Sequence, residues 1–416
     1  MPSANGAIWA IATLSTAGVI ARPMRWPEWI WAVTGAALLV LTGLLPVADA
    51  GTAIAKGLDV YLFLTGMMLL SEAARQHGVF DWIAAAAVNH ARGSRARLFT
   101  LVYATGSLVT TFLSNDATAV VLTPAVFAVA RQARAEPLPL LFACALIANA
   151  ASFVLPISNP ANLVLYGGHM PPLGPWLAAF ALPSLAAIGA TYAVLRWTFR
   201  HDLQGPCAAQ VTRPSLSRAG RAALLAIALT ASVLIAASAL DQPLGLPTAL
   251  AGIVAAIGVS LRARQSPLAL ARQVSWGVLP LVAGLFVLVE ALDRIGTIRA
   301  IAYMLSQAAA DPHRAALAAG TVLALASNVM NNLPAGLVAA GAVGLAQPPR
   351  VIVDALLIGV DLGPNLSITG SLATILWLQV IRREGEDVGF FPFLKVGLLA
   401  MPPALALALL CRVLMG

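Results

Sequence analysis

The sequence predicts an all-α polytopic membrane protein of two inverted-topology repeats, each with a re-entrant helical hairpin and a broken transmembrane helix. Taking ~20 residues per crossing, about ten spanning segments accompany the two hairpins. Three observations predict this. The 416 residues are 60% hydrophobic and only 10% charged, where a soluble domain carries about 25% charged residues. Runs long enough to cross a bilayer follow one another along the whole chain. Motifs of the first half return, in order, in the second.

Apolar segments run over 5–21, 28–47 and 57–74. The stretch MPSANGAIWAIATLSTAGVIA lacks a basic n-region, so it reads as a first span and not as a cleaved signal. A polar, basic segment, 75–97, holds the amphipathic piece FDWIAAAAVNHA. The block 98–130 is interrupted at Ser114-Asn115-Asp116, the segment 138–167 is broken at LPISNP, and 176–196 closes the first half, 1–196. The polar loop 197–220 reads as a cytoplasmic linker. The second half, 221–416, runs through 221–240, 246–262 and 276–292, an amphipathic piece at 295–309, an interrupted block at 315–346, a broken segment at 351–381 and a last span at 391–413. The arms of 98–130 and 315–346, at about 15 residues each, are shorter than the ~20 of a crossing helix, so both blocks read as hairpins.

Charge sets the orientation. With the N-terminus outside, six of the 25 Lys and Arg fall outside (Lys56, Arg294, Arg299, Arg314, Arg350 and Arg412) and the other nineteen inside. That asymmetry follows the positive-inside rule and puts both termini on the extracytoplasmic side. The formal net charge of +8 does not point to nucleic acid, because the basic residues are scattered between apolar spans. Cys144, Cys207 and Cys411 are too far apart for a disulfide framework or a CxxC metal site. No nucleotide-binding signature is present, and the spans hold no nucleophile–base pair or metal cluster, so the reading is a carrier and not an enzyme, without cofactor or metal.

The repeat is read from three matches. Gly66-Glu72-Gly78 meets Gly284-Glu290-Gly296 at an offset of 218; Asn115-Asp116 meets Asn331-Asn332 at 216; LPISNPANLVLYG meets LSITGSLATILWL at 211. The first half enters its repeat from outside and the second from inside. Backbone that leaves the helical ladder inside a bilayer must be buried in protein or water, and in carriers paired breaks meet near the midplane as a substrate site.

Asp116 is the leading candidate, since a carboxylate at a span centre marks an ion or proton path; the plainer reading is an N-cap of the returning arm. Asp361, before a Gly-Pro break, is comparable, or else pairs with a buried partner. Asn115, Asn159, Asn162, Asn328, Asn331, Asn332 and Asn365 gather at the breaks with Ser114, Ser158, Thr369 and Ser371. Singly each reads as a satisfier of frayed backbone; together they suit a small polyhydroxylated solute or a desolvated ion. Glu72 and Glu290, with Arg75 and Arg294 three and four residues on, read as interfacial ion pairs. His77, His90, His169, His201 and His313 read as solvated loop residues, and Cys144 as core.

FLSNDATAVVLTPAV, MNNLPAGLV and GVDLGPNLSITGSLATILWL resemble the signature segments of the ArsB-type arsenite permeases of the ion transporter superfamily, over nearly the whole chain. The resemblance implies an inner-membrane carrier that expels As(OH)3, and often antimonite, in exchange for protons by an elevator-like motion. In some relatives a soluble arsenite-stimulated ATPase is a partner. The extra carboxylate at the first tip favours proton coupling, so the expected mechanism has Asp116 and Asp361 exchange protons while Ser114, Asn115, Asn159, Asn162, Asn331, Asn332, Asn365, Thr369 and Ser371 hold the substrate. No Arg or Lys lies at the four breaks, which argues against phosphate or sulfate. Silicic acid, sodium–proton exchange, or a passive channel for neutral hydroxides are the alternatives.

Overall fold

The computed structural model describes residues 2–167 and 170–415. Among them there is no strand; the one β feature is an isolated bridge between Ser94 and Pro206. His169 lies outside the described residues.

The chain begins with α1 (Pro2–Ala21) and α2 (Glu28–Leu41), and α3 (Val47–Lys56) meets α4 (Leu58–Gln76) at a 49° bend. The amphipathic α5 (Val79–Ala91) leads to α6 (Arg95–Phe112), which runs to the first hairpin tip. A π-helical turn (Ala117–Leu122) and α7 (Thr123–Gln132) return from it. α8 (Pro137–Ala150) stops inside the bundle, a 3-10 turn crosses Pro156–Ser158, and α9 (Pro160–Tyr166) resumes. α10 (Leu173–Thr198) follows.

The second half repeats the order with α11 (Arg218–Ala239), α12 (Gly245–Ala263), the short α13 (Pro267–Ala271), α14 (Val278–Arg294) and the amphipathic α15 (Thr297–Ala308). α16 (Pro312–Met330) and α17 (Asn332–Ala346) form the second hairpin. α18 (Arg350–Leu362), two 3-10 turns (Gly363–Leu366 and Ile368–Gly370) and α19 (Leu372–Arg383) make the second broken helix, before α20 (Phe390–Leu414). Among the described residues five helices are long and apolar enough to cross a bilayer, or six with the bent α3–α4 pair; α6 and α16, at 18 and 19 residues, are as long but less apolar, and the remaining helices are shorter. The architecture is an all-α, multi-pass membrane fold.

The repeated motif has a packing role. Gly66 lets α4 approach α12 so closely that a Cβ there would lie 2.0 Å from the Thr248 carbonyl oxygen. Its counterpart Gly284 does the same between α14 and α2, where a Cβ would lie 2.7 Å from the Ala32 carbonyl carbon. Each half thus docks a helix on the other half. Gly78 and Gly296 end α4 and α14 with φ of 70° and 88°, a conformation that glycine adopts without steric cost.

The loop between α10 and α11 is held against the hairpin-bearing helices. Cys207 and Ala208 donate backbone N–H groups to the Gly93 and Ala133 carbonyls at 2.9 and 2.7 Å. Asn89 exchanges two hydrogen bonds with Val211, and the Arg213 guanidinium stacks 3.9 Å from the Trp82 ring centre.

Three expectations are corrected. Glu72 does pair with Arg75, at 2.6 Å, but Glu290 pairs with Lys56 at 2.7 Å and Arg294 with Asp49. The reason is α3, which brings Asp49 and Lys56 beside α14. His90 is in the last turn of α5, where its Nδ1 lies 2.7 Å from the Ala86 carbonyl oxygen, and His313 opens α16; neither is in a loop. Cys144 is in the core, as expected.

Candidate functional site

The first tip forms because α6 runs out of regular backbone at Leu113 (φ −112°, ψ −77°). Ser114 then caps the returning arm, its Oγ accepting from the Ala117 N–H at 3.2 Å, and Asn115 Oδ1 accepts from the Asp116 N–H at 2.9 Å. Asp116 itself is already helical and makes no capping bond. The capping that the sequence offers to Asp116 is done by its two neighbours. Its carboxylate has no hydrogen-bond or ion-pair partner among the described residues. The arms are held together by Thr118, whose hydroxyl lies 2.8 Å from that of Thr110 and 3.4 Å from the Gly106 carbonyl oxygen. The Thr118 carbonyl accepts the Thr123 hydroxyl at 3.0 Å, within a π turn of the kind that recurs at functional sites.

Asp116 and Ser114 line a cavity of about 130 Å3 with Pro160 of the first broken helix and Glu72 at the end of α4. Exposed Gln273 and Ser275 line its mouth. No Lys or Arg is among its lining residues; Arg75 sits beside the mouth and is bound to Glu72 and Gln273.

One residue before Pro160, Asn159 is extended (φ −150°, ψ 133°) and caps α9 through its Oδ1. Its Nδ2 donates to Asp361 Oδ1 at 2.8 Å. Asp361 is fully buried, and its second carboxylate oxygen has no hydrogen-bond partner among the described residues. A desolvated carboxylate with one oxygen unsatisfied is a costly arrangement. Asn159-Pro160 therefore separates the two candidate acids, touching the cavity of one and the side chain of the other.

Among the other amides, Asn162 and Asn365 are engaged through Nδ2, while Asn162 Oδ1 is buried without a partner among the described residues. Asn162 Nδ2 is shared among the carbonyls of Ser152, Leu155 and Pro156 at the break. Asn365 Nδ2 donates to the Leu146 carbonyl, and its Oδ1 accepts from Asn149 at 3.0 Å, joining the two broken helices. Ser158 Oγ donates to the Thr111 carbonyl at 3.0 Å, tying the first break to the first tip. Ser371 caps α19 at the Thr374 N–H.

The second tip is built differently. Asn331 has φ 75° and ψ 153°, a region nearly restricted to glycine and strained for other residues. Its Oδ1 caps α17 and its Nδ2 donates to the Thr369 carbonyl at 3.3 Å. Thr369 and Ser367 hydroxyls both bond to Asn328, at 2.8 and 2.7 Å. Asn332 is buried in the first turn of α17.

Sequence reasoning missed Asn149, Thr374 and a buried charged cluster. In the cluster Asp354 accepts from Arg412 at 2.7 Å and from the Tyr166 hydroxyl, with Arg350 at 3.7 Å. Its signal was present: Asp354 lies seven residues before Asp361, two helical turns away on the same face of α18. Asn149 was detectable as a lone amide in LLFACALIANA. Among the described residues no three His, Cys, Asp or Glu gather as metal ligands.

Comparison with known proteins places the chain. The CitMHS family, described as citrate transporters, matches residues 16–363. The arsenical pump membrane protein of Escherichia coli is 26% identical over 401 residues, 91% of this chain and 92% of that protein. An uncharacterized transporter of Mycobacterium tuberculosis is 25% identical over 429 residues, 96% of each. Among solved structures, the YdaH transporter of Alcanivorax borkumensis superposes with a TM-score of 0.57 at 16% identity, covering 88% of this chain and 86% of that one. That likeness is one of fold.

Proposed function

The chain belongs to the citrate transporter family, CitMHS, and is a secondary transporter; from that premise we propose that it expels arsenite, As(OH)3, and antimonite across the inner membrane in exchange for protons. The observation that carries this reading is the unpartnered Asp116 carboxylate lining a cavity with no Lys or Arg. Arsenous acid is neutral near pH 7 and presents hydroxyls, which suit the Ser114 hydroxyl and a carboxylate. A citrate trianion meets the Asp116 carboxylate there, and Arg75, beside the mouth, is already bound to Glu72. The similarity to arsenical pump proteins supports the same solute.

In this mechanism Asp116 and Asp361 exchange protons as access alternates, and the amides and hydroxyls of the tips and breaks hold the solute. The hairpins 98–130 and 315–346 and broken helices 138–167 and 351–381 move against the remaining helices, as in carriers built on paired broken helices. The mouth at Arg75 and Gln273 faces the cytoplasm, both termini lie outside, and residues 1–196 and 221–416 are the inverted halves about the 197–220 linker. A soluble ATPase partner belongs to this reading only where the proton gradient alone fails to drive export.

Arsenite uptake into everted membrane vesicles, with an imposed proton gradient, tests the proposal. Uptake that needs the gradient, stops with a protonophore and ignores excess citrate is expected. Uptake down the arsenite gradient alone, indifferent to protonophore, means a channel. No arsenite movement, with citrate transported instead, means that the substrate assignment is wrong.

A further inference from the structure

A groove of about 1020 Å3 runs along α11 and α12, away from the carrier site. Exposed Leu225, Leu229, Leu250 and Val254 form its sides, and Ala226 and Gly258 are part of its floor. A Cβ added at Gly258 meets nothing within 4 Å, so the floor is open there. The lining on α11 extends from Arg218 to Val233, about 22 Å at 1.5 Å per residue. That is most of the ~30 Å hydrocarbon thickness of a bilayer.

One end of this apolar groove is different. Arg218 and Arg221, in the first turn of α11, meet Arg262, in the last turn of α12, and no acidic residue lines the groove. None of the three arginines has a carboxylate partner among the described residues. Ser217 caps α11 at the Gly220 N–H, and the helix N-terminus adds its own partial positive charge beside the arginines. Three guanidinium groups over an apolar channel complement a phosphate joined to hydrocarbon.

We infer that this groove is a binding site for one anionic phospholipid. Its phosphate sits among Arg218, Arg221 and Arg262, and an acyl chain lies between α11 and α12 over Gly258. Basic pockets between membrane helices bind anionic lipid headgroups in this way. A second copy of the chain fits poorly, because a two-fold contact pairs the same patch with itself and sets six arginines together without an acid. The groove's helix α12 packs on α4, where Gly252 meets Gly66.

Native mass spectrometry of the full-length protein in detergent tests this, with dioleoylphosphatidylglycerol and dioleoylphosphatidylcholine added in equal amounts. Preferential retention of the glycerol lipid is expected, falling about five-fold for each arginine replaced by Gln and lost in the R218Q/R221Q/R262Q variant. Gly258→Trp, which fills the floor and keeps the arginines, is expected to reduce that retention. Matching elution in size-exclusion chromatography checks that the variants fold. Equal retention of the two lipids, or a preference that survives the triple substitution, overturns the site. A lipid-free dimer that strengthens when the arginines are removed assigns the groove to a second copy and overturns it as well.

Discussion

The two hairpin tips occupy matching places in the repeat and carry different chemistry. At the first, Ser114 and Asn115 take over the capping bonds, and the Asp116 carboxylate is left without a protein partner beside a cavity. At the second, Asn332 stands where the acid would be, and strained Asn331 is tied through Thr369 to Asn328 and the second break. The order of elements recurs in the two halves while the acid does not. A similar contrast holds along α18. Asp354 is answered by Arg412, Tyr166 and Arg350, whereas Asp361, two turns on, has a single amide donor. The first acid is compensated by several partners, and the second by one.

Replacing Asp361 with Leu is expected to have the largest effect. Gradient-driven arsenite uptake falls to that of empty vesicles. Against the lost partner of the Asn159 amide, about 1–3 kcal/mol, stands the relief of a buried carboxylate with one oxygen unsatisfied, so the thermal midpoint is expected to change little. Exchanging the tips comes next: Asp116→Asn with Asn332→Asp moves the acid to the tied tip, and uptake stays uncoupled from the gradient. Full coupling in that variant would erase the difference between the tips. At Asn331, the Gly variant relieves strain of about 1–3 kcal/mol and loses only a few tenths as a cap, so the midpoint rises. The Ala variant keeps the strain, loses the cap and lowers it. Ser114→Ala, which frees the Ala117 N–H, costs about 1 kcal/mol by the same measurement, with uptake still gradient-dependent.

Much of this was legible in the chain. The apolar spans, the four breaks and the matched glycines are local patterns, and helices begin and end close to where composition changes. The residues at the tips were legible because a polar triplet such as Ser114-Asn115-Asp116 is conspicuous in an apolar block. Partnerships were not. Asn159 bonds to Asp361, and Tyr166 and Arg412 to Asp354, across chain separations that no periodicity encodes. Glu290 was given the wrong partner because α3, short and amphipathic, gave no sign that it returns to α14. The division of labour at the first tip was hidden for a related reason. Ser, Asn and Asp are all good caps, and only backbone geometry decides which of them is used.

The most direct measurement follows proton movement during arsenite transport in sealed proteoliposomes, with a pH-sensitive dye, for wild type and Asp116→Asn. Wild type is expected to move protons against arsenite, and the variant to lose that movement while arsenite still binds. Proton movement undiminished in Asp116→Asn would contradict the assignment of the coupling acid to the first tip.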